Sequence, residues 1–196
     1  MVKINTKGDV VRKMNIDQVK KAKEGDVDEI GKIILDNMQA MYRVAFSILK
    51  NEDEIYDAIS NTTVIVFEKI SSLRKEEFFK TWLTRILINE CYKIYNQNKK
   101  IIYLENCNSE TLGNLSFTDK DRLGEIDTQN LIKSLGKDLK ETVTLYYLED
   151  FSVKEISEIL EIPEGTVKSR LSRARKELEK ILINNEEIER RDLNGQ

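Results

Sequence analysis

Basic side chains cluster in one short segment of a chain that is otherwise acidic. Between Pro163 and Lys180 six Lys or Arg residues stand against three Glu residues, a local net charge of +3, whereas the whole 196-residue chain carries −3. Long cations can pair with phosphate oxygens and reach acceptor atoms on base edges. The segment therefore has the chemistry to bind a nucleic acid; the alternative is a solvated helix whose charges keep the protein soluble.

The pattern of residues 151–180 predicts two helices around a tight turn, which would present these cations. Ser152 and Glu155 have the spacing of a capping box, which opens the first helix. Pro163 suits the beginning of the second helix, because its φ is fixed and its missing N–H costs little there. Apolar residues from Val167 to Ile181 then recur at helical spacing, with cations and hydroxyls on the other face. The segment is a helix-turn-helix candidate.

Composition favours a helical binding protein over an enzyme. The chain has one Pro and eight Gly, with 34% charged residues, which suits long uninterrupted helices. It has no His, and we find no glycine-rich phosphate loop or nucleophile motif, so we expect no catalytic site, metal or cofactor. Cys91 and Cys107 form no paired motif and are expected to be buried free thiols. No run has membrane-spanning length and no secretory signal is evident, so we expect a cytoplasmic protein that does not insert into membranes.

The chain divides into five predicted segments. Residues 1–25 form a basic and loosely ordered extension, 26–102 a helical domain, 103–127 a linker, 128–184 a second helical domain with the helix-turn-helix, and 185–196 a tail that frays. From Glu105 to Asp127 six acids oppose two basic residues, a net charge of −4. We therefore expect an all-α fold of two small helical domains joined by an acidic flexible linker.

Three helical patterns are predicted in the first domain, and two leave a question open. Residues 26–49 form either one long helix or two helices broken near Asp36 and Asn37. Residues 54–70 have helical spacing, although the run Thr62–Val66 is β-branched and disfavours a helix locally. Residues 78–95 form a helix of about 18 residues, roughly 27 Å long, in which Trp82 is expected to pack in the core.

Three stretches resemble one known family. Residues 162–176, IPEGTVKSRLSRARK, closely resemble the promoter-reading helix of the extracytoplasmic-function (ECF) sigma factors, which are bacterial transcription initiation subunits. Residues 41–51 and 79–89 are similar to the opening helix and the Phe-x-x-Trp-Leu-x-x-Ile-x-x-Asn signature of the family's region 2, in the family's order and at about its spacing. The resemblance covers roughly residues 28–100 and 129–182, and makes the C-terminal domain a region 4.

Two departures from the family pattern stand out. Residues 59–61 read Ile-Ser-Asn, where the family commonly has a Val-Gln-Asp/Glu element that contacts the polymerase. Glu161 occupies the turn of the helix-turn-helix, where Gly is frequent because φ can be positive. Keeping that backbone with Glu costs of order 1 kcal/mol, so we expect a slightly reshaped turn.

The resemblance implies a role for each domain. The C-terminal domain reads the −35 promoter element as duplex, with Lys168 and Arg173 as first choices for base-edge contacts and Thr166 placed for a phosphate. The N-terminal domain captures an unstacked base of the −10 element and holds the melted strand. The candidates for contacts with the duplex are Thr166, Lys168, Ser169, Arg170, Ser172, Arg173, Arg175 and Lys176. The candidates for contacts with the single strand are Arg74, Phe78, Lys80, Arg85 and Lys93. The candidates for contacts with core polymerase are Ile55, Tyr56, Ile59 and Asn61.

The partners implied by the resemblance are core RNA polymerase, through its β′ clamp and β flap, promoter DNA, and an anti-sigma factor, often membrane-anchored in the family. The family's role in stress or environmental responses is implied with them. Two alternatives remain: a stand-alone helix-turn-helix repressor or activator that binds a palindrome as a dimer, and a helical adaptor. Because the overall pI is near 5.4, we expect the free chain to bind DNA weakly until core separates the domains and makes both DNA faces available.

Overall fold

The computed structural model describes residues 16–106, 131–132 and 134–193, and within them every regular element is helical. Short 3-10 turns at Ile70–Ser72 and Glu76–Phe78 connect the third helix to the fourth, and a π-helical turn, Thr144–Leu148, follows the fifth. The all-α prediction is confirmed. The helices are α1 (Ile16–Lys23), α2 (Val27–Ile48), α3 (Glu52–Lys69), α4 (Phe79–Asn106), α5 (Lys137–Val143), α6 (Val153–Leu160) and α7 (Glu164–Leu193).

The N-terminal domain is a bundle in which α2, α3 and α4 pack on one another around side chains such as Val44, Ile55 and Phe79. The α2 helix begins with a capping interaction, because the Asp26 side chain accepts a hydrogen bond from the Glu29 amide at 3.1 Å. It is one unbroken helix across residues 36 and 37. This settles the first open question of the sequence analysis.

The β-branched run in α3 is helical throughout. Thr62 and Thr63 donate their hydroxyls to the carbonyls of Ala58 and Ile59, at 2.7 and 2.9 Å, so neither hydroxyl competes with the helix for backbone donors. Val66 and Thr62 are fully buried, and their packing outweighs the weak local preference against a helix.

The N-terminal extension is more ordered than predicted, because Ile16–Lys23 forms α1 against α2. Val19 and Ala22 are fully buried, and Lys23 Nζ lies 2.6 Å from Glu76 Oε1. Two buried residues three positions apart are too few to show a helical period in the sequence. Residues 1–15 lie outside the described part.

Two helices run further than predicted. The α4 helix ends at Asn106, inside the stretch assigned to the linker, and α7 continues to Leu193, where fraying was expected. The α7 extension lacks a sustained apolar face, yet it is rich in Glu and Arg, which form helices well without packing. The α4 extension is short and ends in Tyr103, Leu104, Glu105 and Asn106. The rest of the predicted linker, Cys107 included, and residues 194–196 lie outside the described part.

Buried side chains of α5, α6 and α7, among them Leu139, Ile156 and Leu171, make the C-terminal domain's core. Cys91 in α4 is a free, fully buried thiol, as predicted, and burial raises its pKa to about 12. A search of the described helices finds no segment with the length and hydropathy of a transmembrane span.

Candidate nucleic-acid interface

The helix-turn-helix is built as the sequence predicts. Ser152 Oγ accepts the Glu155 amide at 3.2 Å and the Glu155 carboxylate accepts the Ser152 amide at 2.8 Å, which completes the capping box. The α7 helix begins directly after Pro163, whose carbonyl accepts the amides of Thr166 and Val167. Each helix is therefore fixed at its N-terminus, which lies away from the turn in the first helix and directly after the turn in the second.

Glu161 keeps the left-handed backbone, so the reshaped turn expected from the sequence is not found at this residue. Its φ is 53° and its ψ is 40°, the left-handed conformation, and it ends α6. The backbone that glycine adopts at low cost is therefore kept with a side chain in place, at a cost of roughly 1 kcal/mol. Asp150, which precedes α6, also has a positive φ of 56°, but Asp tolerates this conformation better.

The α7 helix presents a cationic face to solvent. Val167, Leu171 and Ala174 are buried against the domain, and the opposite side carries the predicted duplex contacts. Thr166, at the first turn, is half-buried. The exposed candidates are Lys168, Ser169, Ser172, Arg173, Arg175 and Lys176.

Arg170 differs from the other candidates for the duplex. Its Nη2 lies 3.0 Å from Asp138 Oδ2 on α5, and its side chain is 17% exposed. The guanidinium therefore ties α7 to α5, and this geometry favours a structural role for Arg170 over a phosphate contact.

The candidates for single-stranded DNA fall into two groups. Arg74 and Phe78 are exposed on the turn between α3 and α4, and Phe78 is 50% exposed. Lys80 and Arg85 contact the C-terminal domain instead, through Glu149 and Glu161. Lys93 is exposed and pairs with Glu90 at 2.5 Å. Trp82 packs against the core beside Phe79, with ring centroids 6.2 Å apart, as predicted.

Two of the four predicted polymerase contacts are core residues. Ile55 is fully buried and Ile59 is 5% exposed, because both lie on the side of α3 that packs on α2 and α4. Their side chains cannot reach a partner without unfolding the bundle, which corrects their assignment. Tyr56 and Asn61 are exposed and remain available.

The structure adds apolar surface that the sequence analysis missed. Val64 is 57% exposed and Phe67 42% exposed, and their offsets of 8 and 11 from Tyr56 place all three on one side of α3. We call Tyr56, Val64 and Phe67 the outer stripe of α3. The helical offsets of these three apolar residues could have indicated a shared face. The β-branched run Thr62–Val66 bears only on whether the helix forms, and not on which of its side chains are exposed.

A second missed feature is an aromatic pair in the C-terminal domain. Tyr146 and Tyr147 lie on the π-helical turn, are 37% and 44% exposed, and meet edge to face with centroids 4.9 Å apart. Adjacent residues point apart on a regular α-helix, so no pattern in the sequence indicates that these two rings meet.

Comparison with known proteins identifies the two domains. The family profile "Sigma-70 region 2" matches residues 33–101, and "Sigma-70, region 4" matches residues 126–178. The RNA polymerase sigma factor SigV of Bacillus subtilis (strain 168) is 30% identical over 155 residues, covering 79% of this chain and 91% of SigV. The ECF RNA polymerase sigma factor SigW of the same organism is 28% identical over 177 residues, covering 84% and 95%.

Solved structures agree with this fold. The sigma factor RpoE in complex with the anti-sigma factor NepR, from Bartonella quintana, matches with a TM-score of 0.63 and 25% identity over 80% of this chain and 98% of that one. CnrH in complex with the cytosolic domain of CnrY matches in fold, with a TM-score of 0.62 and 19% identity over 86% and 97%. Two sigma regions in the family's order, together with a 30% identical relative covered over most of its length, establish that this chain belongs to the ECF RNA polymerase sigma factors.

Proposed function

We propose that this chain binds core RNA polymerase in the bacterial cytoplasm and directs it to specific promoters, without itself catalysing a reaction. The observation that carries the proposal is the exposed cationic face of α7, held by a capped helix-turn-helix in the same chain as a region 2 bundle. A helix that presents long cations in this way fits the major groove.

At the −35 element, Lys168 and Arg173 reach base edges, and Arg175 and Lys176 supply attraction to phosphates that does not depend on sequence. The side chains of Lys168 and Arg173 are both exposed. Lys168 forms only a long ion pair with Glu164, 3.9 Å apart, which costs little to exchange for a DNA contact.

At the −10 element, Phe78 offers a half-exposed ring on which an unstacked base can stack, with Lys75 beside it and Arg74 exposed on the same turn. Lys75 Nζ lies 5.8 Å from the centroid of the Phe78 ring. An aromatic plane next to cations is the combination that single-stranded nucleic acid requires.

Core polymerase would contact the outer stripe of α3 on the N-terminal domain and the Tyr146–Tyr147 pair on the C-terminal domain, at the clamp and the flap respectively. Exposed aromatic side chains are enriched at the centres of protein interfaces. RpoE of Bartonella quintana is solved in complex with the anti-sigma factor NepR, and we propose an anti-sigma partner for this chain in a stress or environmental response.

A stand-alone repressor or activator is the second candidate, and it is less favoured. It explains the helix-turn-helix, but it gives no task to the region 2 bundle or to the apolar outer stripe of α3. It also predicts a palindromic site that is bound by a dimer without polymerase.

Run-off transcription with purified core on genomic fragments tests the proposal. The wild-type chain should start transcription at non-palindromic sites, and Lys168→Ala combined with Arg173→Ala should reduce it at least tenfold, since each base contact contributes about 1–3 kcal/mol. Lys154→Ala, an exposed lysine on α6, is the matched control and should retain activity. Full transcription by the double variant would favour an adaptor, and binding of a palindrome without core would favour a repressor.

A further inference from the structure

The turn between α3 and α4 is anchored at its two ends and exposed in its middle. Ile70 and Leu73 at its beginning and Phe79 at its end are buried, so the core of the N-terminal domain fixes both ends. Between them, residues 74–78 are exposed, with the exception of the half-buried Glu76. An exposed segment of this kind is ordered only as far as its few contacts hold it.

Glu76 is held by the first helix of the chain. The α1 helix packs against both 3-10 turns of this connection. Lys23 Nζ donates a hydrogen bond to Glu76 Oε1 at 2.6 Å, and the two side chains are only 19% and 27% exposed. The hydrogen bond holds the pKa of the Glu76 carboxyl below its ordinary value, so the contact is an ion pair in neutral solution.

Lys23 is itself well fixed, because it is the last residue of a helix that is packed on the bundle. Val19 and Ala22 of α1 are fully buried. Directly after the helix the chain reverses at Gly25, whose φ of 98° suits a residue without a side chain. Asp26 then caps α2. The ammonium group of Lys23 therefore extends from a rigid support to the middle of the turn, 53 residues further along the chain.

The position of Glu76 bears on strand binding in two ways. It lies two residues before Phe78, in the same short 3-10 turn, so fixing Glu76 limits where the Phe78 ring can point. It also carries a negative charge on a turn that would meet phosphates, and the ammonium group of Lys23 offsets that charge. A surface that is ordered before binding loses less conformational freedom when its ligand arrives.

We propose that Lys23 is a positioning residue for strand capture, which holds the turn in the shape that presents the Phe78 ring and neutralises the Glu76 carboxylate on that turn. The α1 helix is thereby part of the −10 reader, although it stacks on no base itself. This role rests on the function proposed above for Phe78. Lys23 acts on the stacking of the base through the turn, and not merely on the attraction of phosphates.

The test uses the full chain bound to purified core polymerase and two single-stranded probes. One probe is a short fluorescein-labelled strand of mixed sequence, because stacking on an aromatic ring tolerates every base. The other has the same length and label but abasic sites in place of the bases. Since both strands carry the same phosphates, the ratio of their affinities, measured by fluorescence anisotropy, reports base stacking alone. Hydrogen exchange in residues 70–79 of the free chain reports the order of the turn, and far-UV circular dichroism checks folding.

Lys23→Ala and Glu76→Ala break the same contact but change the net charge in opposite directions. Both should lower the preference for the strand with bases by about three- to tenfold and speed hydrogen exchange in the turn, because the turn is then less ordered before binding. Affinity for the abasic strand should fall slightly in Lys23→Ala and rise slightly in Glu76→Ala, since attraction to phosphates follows charge.

Two further variants separate position from charge. Lys23→Arg keeps a positive donor at the same place and should restore most of the preference for bases. Lys21→Ala removes an exposed lysine from the same helix, and as the matched control it should keep the wild-type preference.

A wild-type preference for bases in both Lys23→Ala and Glu76→Ala would overturn the proposal. Changes of opposite sign in these two variants would also overturn it, because net charge alone would then explain them, and so would an equal loss in Lys21→Ala. Phe78→Ala tests the function on which the role of Lys23 rests, and it should abolish the preference. If Phe78→Ala keeps the preference, the function proposed for the turn is wrong and the role of Lys23 falls with it, whereas a loss in Phe78→Ala alone overturns only the role of Lys23.

Discussion

At the scale of single residues, Glu161 combines two roles that oppose each other. Its left-handed backbone destabilises the turn of the helix-turn-helix, and its carboxylate pairs with Arg85 of the other domain. A glycine would suit the backbone better but would lose the ion pair. The glutamate therefore contributes an exposed ion pair at some cost to the stability of the C-terminal domain.

Replacing Glu161 separates these roles. Glu161→Gly and Glu161→Ala both remove the ion pair, but only Gly removes the strain, so the Gly variant should be more stable by about 1 kcal/mol. For a domain of this size the difference corresponds to roughly 4–8 °C in melting temperature. Thermal unfolding followed by circular dichroism measures it, and equal melting temperatures for the two variants would contradict the assignment of strain.

Residues with a local signal were predicted well from the sequence. The capping box of Ser152 and Glu155, Pro163 and the apolar period of α7 each depend on neighbours in the chain, and the structure has them as expected. The ion pair of Arg170 was missed because its partner, Asp138, is far away in sequence. The ion pairs of Lys80 and Arg85 were missed for the same reason, since domain packing is not encoded in local spacing.

At the scale of elements, α3 shows what periodicity leaves out. The pattern located the helix, but it did not say which apolar residues face the core, and Ile55 and Ile59 were assigned to a partner although they are buried. The exposed side carries Tyr56, Val64 and Phe67, the outer stripe. A stripe of large apolar side chains on a surface helix indicates an interface.

The outer stripe can be tested with a matched pair of valines. Val64→Ala should weaken binding of core polymerase by about 1 kcal/mol, or roughly fivefold, because it truncates a side chain at the proposed contact. Val27→Ala truncates a similarly exposed valine on α2, 63% against 57% exposed, and should leave affinity unchanged. Titration of labelled core with each variant gives the affinities. An equal loss of affinity in both variants would contradict the proposal that core polymerase contacts α3.

At the scale of the whole molecule, a buried carboxyl group lies where the two domains meet, because Glu141 accepts a hydrogen bond from Tyr92 of α4. Burial raises the pKa of Glu141, whose Oε1 has no hydrogen-bond partner, against the opposing effects of the Tyr92 hydrogen bond and of Lys137 and Arg170. Asp138 adds to the rise. Because the folded chain holds this proton more tightly than the unfolded chain does, the free energy of unfolding should increase as the pH falls towards the raised pKa and decrease as the pH rises through it.

Glu141→Gln should remove this dependence, since the amide oxygen still accepts the Tyr92 hydrogen bond and carries no charge to bury. At neutral pH the variant should melt at a higher temperature than wild type, and its melting temperature should change less than that of wild type as the pH is lowered, as measured by circular dichroism. A wild-type pH profile that persists in Glu141→Gln would assign the titration to another group.

The central claim is that one chain carries two promoter readers that act together only on core polymerase. Footprinting of a promoter fragment with the chain alone and with core tests it most directly, with permanganate detecting unpaired thymines at the −10 element. The account predicts weak protection by the chain alone, and protection at −35 together with reactive −10 thymines only when core is present. Strong protection of both elements by the chain alone, or intact pairing at −10 with core present, would contradict it.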